Sequence, residues 1–451
     1  METKRGFASR LGFIMSMAAF SIGIGNLWKF PYVVGNNGGG AFLMVYLIIV
    51  LIIGVPAFLI ELTLGRSSQL SPIGGMRKLE GKKTGWSSIG WLGCVAIFII
   101  VSYATMIVGG WTGGYIFKIV TGSLQGLTPD EIAGVFGSFC GDPIILAFAA
   151  VQAFLLWLCL VSGVKKGVEK VCSVLLPTLF VIMIILAIYA NTLPGALDGL
   201  KWYVTPDFSA VTTDSIAAAA TQVFFSIGIG MCCAFVYGSY IGKDSNLTQS
   251  VTLTAVLDTL VAVLAGLICV PALFAFNIEP TAGPSLIFIT LPQLFNAMGS
   301  FGTIFGALFM ICVFFAGFTS ILGGSEALVA TICDSRGWGR KKAATVIVVA
   351  QYLFSILFTL SFGSGAIAQI KVMGLGLFDF SDFIASLCMG LGALLMVVYV
   401  IRRWGFQKFQ EEANAGATGP IRVYNWMKPY ICIVFPVLLV VVIYWVVRMY
   451  V

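Results

Sequence analysis

The chain has 451 residues, of which 59% are hydrophobic and only 10% charged, against the roughly 25% charge of an average soluble domain. A mean hydropathy of +1.00, 52 glycines and 36 phenylalanines exclude an ordinary soluble protein and indicate a chain that crosses a bilayer many times. Histidine is absent, which excludes histidine-zinc sites, Ser-His-Asp and Cys-His triads and histidine proton relays, and leaves carboxylates, hydroxyls, backbone dipoles and sulfur for any chemistry.

The opening METKRGFASRLGF is short and basic and runs into an apolar stretch with no small-residue cleavage site, so it is expected to lead into a retained first span. At about 20 apolar residues per crossing, eleven helices are predicted, centred near residues 22, 50, 103, 153, 179, 226, 262, 316, 351, 390 and 440. With the N-terminus inside, all of the 26 Lys and Arg fall in inner segments except Lys118, Lys201, Lys371 and Arg448, which fall outside, and Lys29, which falls within a span. The positive-inside rule therefore predicts a cytoplasmic N-terminus, an outer C-terminus and a multi-pass protein of the cell (inner) membrane. The net charge of +7 reads as cytoplasmic loops, with no nucleic-acid partner. Two long outer connections, 192–213 and 277–299, are expected to carry short capping helices, and 403–427 reads as a polar cytoplasmic loop. Of the 11 cysteines, only Cys140 falls in a loop and no CxxC occurs, which argues against a disulfide framework. No linker separates a soluble domain, so 1–451 is read as one membrane domain.

A self-match organises the chain. Residues 20–26 read FSIGIGN and residues 225–231 read FSIGIGM, in the first and sixth spans. A repeat length of five spans, an odd number, reverses the second copy, the mark of an inverted repeat of spans one to five (about 8–192) and six to ten (about 213–403), followed by an eleventh span (about 428–450). Each glycine weakens a helix by about 1 kcal/mol, so a Gly-x-Gly at mid-membrane predicts an unwound break. Such a break is tolerated only where it lines a cavity. Its half-helix N-termini can hold an anionic group and its carbonyls a cation.

Three charges stand alone along apolar helices: Lys29, Asp258 and Glu326. Each is either a strut between helices or a functional group. Asp258 should be protonated or hold a cation, and with the hydroxyl of Ser226 and the amide of Asn26 the oxygen donors suit sodium. Thr319 and Ser320 either bond back to their own helix or face a site.

FSIGIGNLWKFPY, NNGGGAFL, GPSLIFITLP and FFAGFTS together resemble the neurotransmitter:sodium symporter family, over nearly the whole chain. The resemblance implies an all-α, leucine-transporter-like fold and sodium-coupled transport by alternating access. One sodium ion would meet the carbonyl of Ser21 with Asn26, Ser226 and Asp258. A second would meet carbonyls of Ala19, Ile22 and Ala316 and hydroxyls of Thr319 and Ser320. A solute carboxylate would complete the first sodium site and contact the amides of Ile24 and Gly25, while the solute side chain would face Val101, Phe225, Gly228, Met231, Ser320 and Gly324. The family's span-three tyrosine lies six residues before a tryptophan matching Trp111, which is Thr105 here, with Tyr103 two residues earlier. Lys29 stands for the usual arginine of the outer gate, opposite Asp382. Arg5, Tyr240 and Asp334 match the inner gate, with Phe7 as its plug. Glu61 and Glu326 match the acids that support the unwound segments and span eight, and Gly167 with Pro177 matches a spacing linked to unwinding of span five.

Gln222 and Ser226 match the chloride site of chloride-dependent members, but Ala262 and Asp258 replace its serine and asparagine, so transport is expected to be chloride-independent, with Asp258 a candidate to return a proton. Gly23, where amine transporters carry an aspartate, favours an amino-acid solute, and Gly324 and Met231 favour a hydrophobic or aromatic L-amino acid. A non-amino-acid amine, another small solute or a non-transporting sensor of the same fold are the alternatives. The expected partners are that solute, sodium and lipid, without an organic cofactor. An enzyme is not expected, because Cys232 and Cys233 have no histidine base.

Overall fold

Ser9 opens the first helix by accepting the N–H of Gly12 at its Oγ, 2.9 Å away. The computed structural model describes residues 6–81, 85–278 and 286–450. Among them nine helices are continuous, long and apolar enough to cross a membrane. They are span two (Gly40–Ser68), three (Gly85–Val120), four (Ile144–Val161), five (Val164–Asn191), seven (Leu247–Ala275), eight (Phe301–Arg336), nine (Arg340–Ser361), ten (Leu377–Trp404) and eleven (Asn425–Arg448).

The remaining two spans are broken. Span one consists of Arg10–Ser21 and Gly25–Asn36, bent by 57° at the break. Span six consists of Thr213–Ile227 and Cys233–Ser239, opened by a Thr212–Ser215 capping box and interrupted where Gly228, Gly230 and Cys232 take positive φ. The eleven spans and the two breaks lie where the sequence places them.

Between the spans the connections read as outer carry Ala196–Val204 and Leu286–Ala297, short helices as expected, and also Pro129–Phe139, a helix with a Thr128–Glu131 capping box. Lys371 and Val372 pair antiparallel with Gly376 and Leu375 in a small hairpin before span ten. The stretch 403–427 is not simply a loop. Phe406–Asn414 is helical: its Phe406, Phe409 and Ala413 bury one face, Lys408 and Glu411 are exposed, and Glu412 pairs with buried Arg66 of span two at 2.9 Å.

Span three packs along span ten, span five along span seven, the first half of span one along span eight, and span two along the second half of span six. Large apolar side chains such as Leu51, Val151, Phe154, Ile188, Leu353 and Val437 cover the outside of the bundle, as a lipid-facing surface requires. Glycines set the closest approaches. A Cβ at Gly65 would fall 1.9 Å from the carbonyl oxygen of Phe235, and a Cβ at Gly238 would fall 2.2 Å from that of Leu62. The two helices thus meet backbone to backbone through one glycine from each.

Gly65→Ala should therefore overpack this contact and destabilise by about 1–3 kcal/mol. Gly85, whose Cβ would meet nothing within 4 Å, gives the control. Thermal unfolding of the detergent-solubilised protein should show a lowered midpoint for G65A and not for G85A, and equal midpoints would refute the contact.

Candidate functional site

The break in span one diverts two backbone N–H groups. Gly23 N–H donates to Oδ1 of Asn26 at 3.2 Å, and Asn26 N–H donates to the carbonyl of Gly23 at 3.2 Å. In an unbroken helix these donors would serve the carbonyls of Ala19 and Ile22. Those two oxygens, named from the resemblance as sodium ligands, thereby lose their usual helical partners. Ile24 and Gly25 open the second half of the span, where first-turn N–H groups have no partner within the helix.

The break in span six is held from span two. Buried Glu61 accepts from Gly230 N–H at 3.0 Å and from Phe235 N–H at 3.4 Å, one on each side of the second half-helix start. Gly228 and Gly230 also permit contact: a Cβ at Gly228 would lie 2.8 Å from the Phe20 ring, and one at Gly230 would lie 2.1 Å from the carbonyl oxygen of Met389. Positive φ and close approach thus both demand glycine there.

Beside the breaks lies a compact oxygen cluster. Asn26 Nδ2 donates to Ser226 Oγ at 3.1 Å, Asp258 Oδ1 at 2.9 Å and the Asp258 carbonyl at 3.2 Å, and Ser226 Oγ donates to Asp258 Oδ2 at 2.7 Å. Asn26 and Asp258 are fully buried. As the amide stands, its N–H groups face these oxygens; coordination of a cation by Asn26 needs Oδ1 turned that way. The hydroxyl of Tyr46, a residue the sequence reading did not single out, is buried close to Asp258 and Ser226. Gln222 Nε2 reaches the Gly25 carbonyl at 3.4 Å, while its Oε1 is buried without a hydrogen-bond partner among the described residues.

At the second expected ion site, Thr319 Oγ1 bonds back to the carbonyls of Phe315 and Ala316 at 3.0 and 3.2 Å. Ser320 instead faces the cavity, its Oγ 3.4 Å from where a Cβ of Gly23 would stand.

A cavity of about 370 Å³ joins both breaks. Ser21, Gly23, Ile24, Gly25, Val101, Tyr103, Phe225, Ser226, Gly228, Met231 and Ser320 line it, together with Phe20, Ile97, Ile100, Ile107, Ile321 and Phe378, which the sequence reading missed. Two expected residues do not line it. Thr105 is buried and bonds back to the Val101 carbonyl at 2.8 Å. It begins a π-helical segment, Thr105–Thr112, whose wider turn takes up an additional residue, and the wall is occupied by Tyr103, two residues earlier. Gly324 sits behind the wall: a Cβ there would lie 2.7 Å from Ile97 and 2.8 Å from Val101. It lets span three approach span eight.

The cavity reaches outward to Lys29, Tyr32, Phe378 and Asp382. The expected Lys29–Asp382 ion pair is not formed. Lys29 Nζ instead lies 4.9 Å above the Phe225 ring, and Tyr103 and Tyr450 both donate to Asp382. The inner end is closed. Phe7 packs against Phe13, Tyr237 and Tyr240, Tyr240 donates to Glu326 at 2.7 Å, and Arg340 binds both oxygens of Glu326. Asp334 accepts from Ser71 N–H at 2.9 Å, and Arg5 lies outside the described residues. Glu169 accepts from the N–H groups of Ala8 and Ser9. Span five runs unbroken through Gly167 and Pro177: Gly167 lies in the π-helical stretch Val164–Glu169, where a Cβ would come within 1.9 Å of the Cys159 carbonyl oxygen.

The Sodium:neurotransmitter symporter family matches residues 4–128 and 143–451. The chain is 34% identical over 423 residues to YhdH, an uncharacterized sodium-dependent transporter of Bacillus subtilis, with 93% of each chain covered. It is 30% identical over 415 residues to an uncharacterized sodium-dependent transporter of Haemophilus influenzae, covering 89% of this chain and 90% of that one. Among solved structures, MhsT in complex with L-phenylalanine matches with a TM-score of 0.86 and 34% identity, over 98% of this chain and 100% of that one.

Removing the Glu61 carboxylate strands buried N–H groups, at about 1–3 kcal/mol each. Hydrogen exchange at Gly230–Phe235 should accelerate strongly in E61A and moderately in E61Q, whose amide keeps one acceptor. Unchanged exchange in both variants would detach Glu61 from the break.

Proposed function

This chain belongs to the Sodium:neurotransmitter symporter family and is a sodium-dependent transporter, not an enzyme, and we propose that its cargo is a large hydrophobic or aromatic L-amino acid. The observation that carries this reading is the division of one cavity into a polar end at the two helix breaks and an apolar wall of Ile97, Val101, Phe225, Met231 and Ile321. The cargo's carboxylate meets the N–H groups of Ile24 and Gly25, and its side chain fills the apolar part. The match to a structure holding L-phenylalanine supports the same class of cargo.

In this reading the first sodium ion binds Ser21, Asn26, Ser226, Asp258 and the cargo carboxylate. The second binds Ala19, Ile22, Ala316, Thr319 and Ser320, and tying it requires the Thr319 hydroxyl to turn its lone pairs to the ion. At a membrane potential of about 100 mV two sodium ions supply about 4.6 kcal/mol and one proton carried outward in return takes back about 2.3 kcal/mol, which leaves roughly fortyfold accumulation of a zwitterion. The positive-inside distribution orients the protein in the cell (inner) membrane with its N-terminus in the cytoplasm and its C-terminus outside.

Asp258 supplies a covalently held negative charge beside Tyr46 and Ser226, where a bound chloride would otherwise balance sodium, so transport is chloride-independent. Proton return on Asp258 follows from the same geometry: once sodium leaves, the buried carboxylate needs another positive partner.

Two measurements test this. L-phenylalanine should raise the melting temperature of the purified protein in sodium and not in potassium, because only a ligand of the folded state stabilises it. Stabilisation by an amine and not by any amino acid would replace the cargo assignment. In proteoliposomes, uptake should be equal with and without chloride, whereas D258N should lose about tenfold in chloride-free medium, a 1.4 kcal/mol effect, and recover in part when chloride is added. Chloride-dependent uptake by the unsubstituted chain would sink the charge assignment.

A further inference from the structure

Asp382, at the outer end of the cavity, has both carboxylate oxygens occupied by phenols. Oδ1 accepts from Tyr103 of span three at 2.8 Å, and Oδ2 accepts from Tyr450, which follows the last turn of span eleven. The Tyr450 ring also packs on Phe383, with centroids 5.4 Å apart. The same turn approaches the opposite gate residue: Arg448 and Met449 line, with Lys29 and Tyr32, a second cavity of about 380 Å³ between spans one, six and eleven. Span eleven lies outside the two repeats, yet its tip bonds one side of the outer gate and shares a cavity with the other.

Lys29 meanwhile sits on the face of Phe225, and Phe225 forms part of the main cavity wall. An ammonium on a flexible stem is a point charge with three rotatable donors, suited to moving between an aromatic face and a carboxylate. Its two seats have different competitors. A cargo side chain lying against Phe225 displaces the ammonium from the ring, and the two phenols compete for Asp382.

We propose that the tip of span eleven is a working part of the outer gate: Tyr450 competes with Lys29 for Asp382 and so holds the gate open until cargo takes the Phe225 face. This rests on the cargo position assigned above. Tyr450 acts here as a positioning residue, because it binds the gate carboxylate and does not line the main cavity.

The test uses the full-length protein carrying I100C, a substitution on the cavity wall, and follows its reaction with a membrane-impermeant methanethiosulfonate against the native-cysteine background. Y450F keeps the ring on Phe383 and removes only the hydroxyl. In sodium without cargo, Y450F should slow labelling by about tenfold, the size expected from losing one hydrogen bond to a charged acceptor. In the K29Q background the same Y450F change should have no effect, because no ammonium remains to take Asp382. Unchanged labelling in Y450F, or equal slowing in both backgrounds, would overturn the competition and leave Tyr450 as a packing residue. Protection of I100C by L-phenylalanine is read separately: its loss would sink the cargo assignment, while the cargo-free rates still decide the gate.

Discussion

Backbone that leaves its helix inside a bilayer must find every hydrogen bond within the protein, because each unpaired amide or carbonyl in hydrocarbon costs several kcal/mol. The two breaks of this chain meet that demand differently. In span one the side chain of Asn26 turns back to cap Gly23, and the exchange frees the carbonyls of Ala19 and Ile22. In span six the carboxylate of Glu61 arrives from span two to take Gly230 and Phe235. One break is satisfied locally and the other by a neighbour, so the shape of span six depends on where span two stands. The reciprocal glycines Gly65 and Gly238 fix that relation by joining the same two helices backbone to backbone. Spans two and six therefore form one mechanical unit, built around a buried acid.

The two ends of the cavity differ in kind. The inner end is sealed by an aromatic cluster around Phe7 and by a charge-assisted network in which Glu326 binds Arg340 and Tyr240 together. Charge-assisted hydrogen bonds are about twice as strong as neutral ones, so opening this end requires breaking several at once. The N-terminal segment adds to the seal through Glu169, which lies in span five next to Gly167. Unwinding span five there would release that segment in the same movement. The outer end has no such seal, since Lys29 and Asp382 lie in the cavity wall on separate partners. The cavity is thus sealed at the end near Phe7 and Glu326 and unsealed at the end near Lys29 and Asp382.

How much of this was legible in the sequence depends on how local each signal is. The breaks were legible because Gly-x-Gly is a local backbone instruction and occurs twice in the same setting, FSIGIG. Asn26, Ser226 and Asp258 could be joined because isolated polar groups in apolar helices have few partners to choose from. Thr105 and Tyr103 were both named from the family's span-three position, and only the structure separates them: Tyr103 lines the cavity, while Thr105 bonds back to Val101 at the start of a π turn that leaves no mark in the side-chain pattern. Gly324 failed for another reason: glycine on a helix serves equally to line a pocket or to admit a neighbour, and only the positions of Ile97 and Val101 decide. Tyr46 and Tyr450 carried no signal at all, since a tyrosine in an apolar span reads as packing until its hydroxyl is seen beside a carboxylate. The helix Phe406–Asn414 was legible in principle from Phe406, Phe409 and Ala413, but nearby Gly416, Gly419 and Pro420 made the stretch read as a loop.

Asn26 links the ion chemistry to the backbone. Its amide has two faces, an oxygen that accepts and a nitrogen that donates, and here the donor faces Ser226 and Asp258 while the acceptor caps Gly23. Binding of sodium in the proposed first site needs the oxygen on the Asp258 side, which reverses both contacts. Gly23 N–H then loses its acceptor at the point where span one is bent, and the bend must adjust. A single side-chain rotation thereby connects cation coordination to the hinge that precedes the proposed cargo contacts at Ile24 and Gly25. An ion that could not draw the amide oxygen toward it would leave the hinge as it stands. In the proposed first site, coupling a bound cation to the hinge therefore requires no separate sensor beyond the side chain that already closes the break.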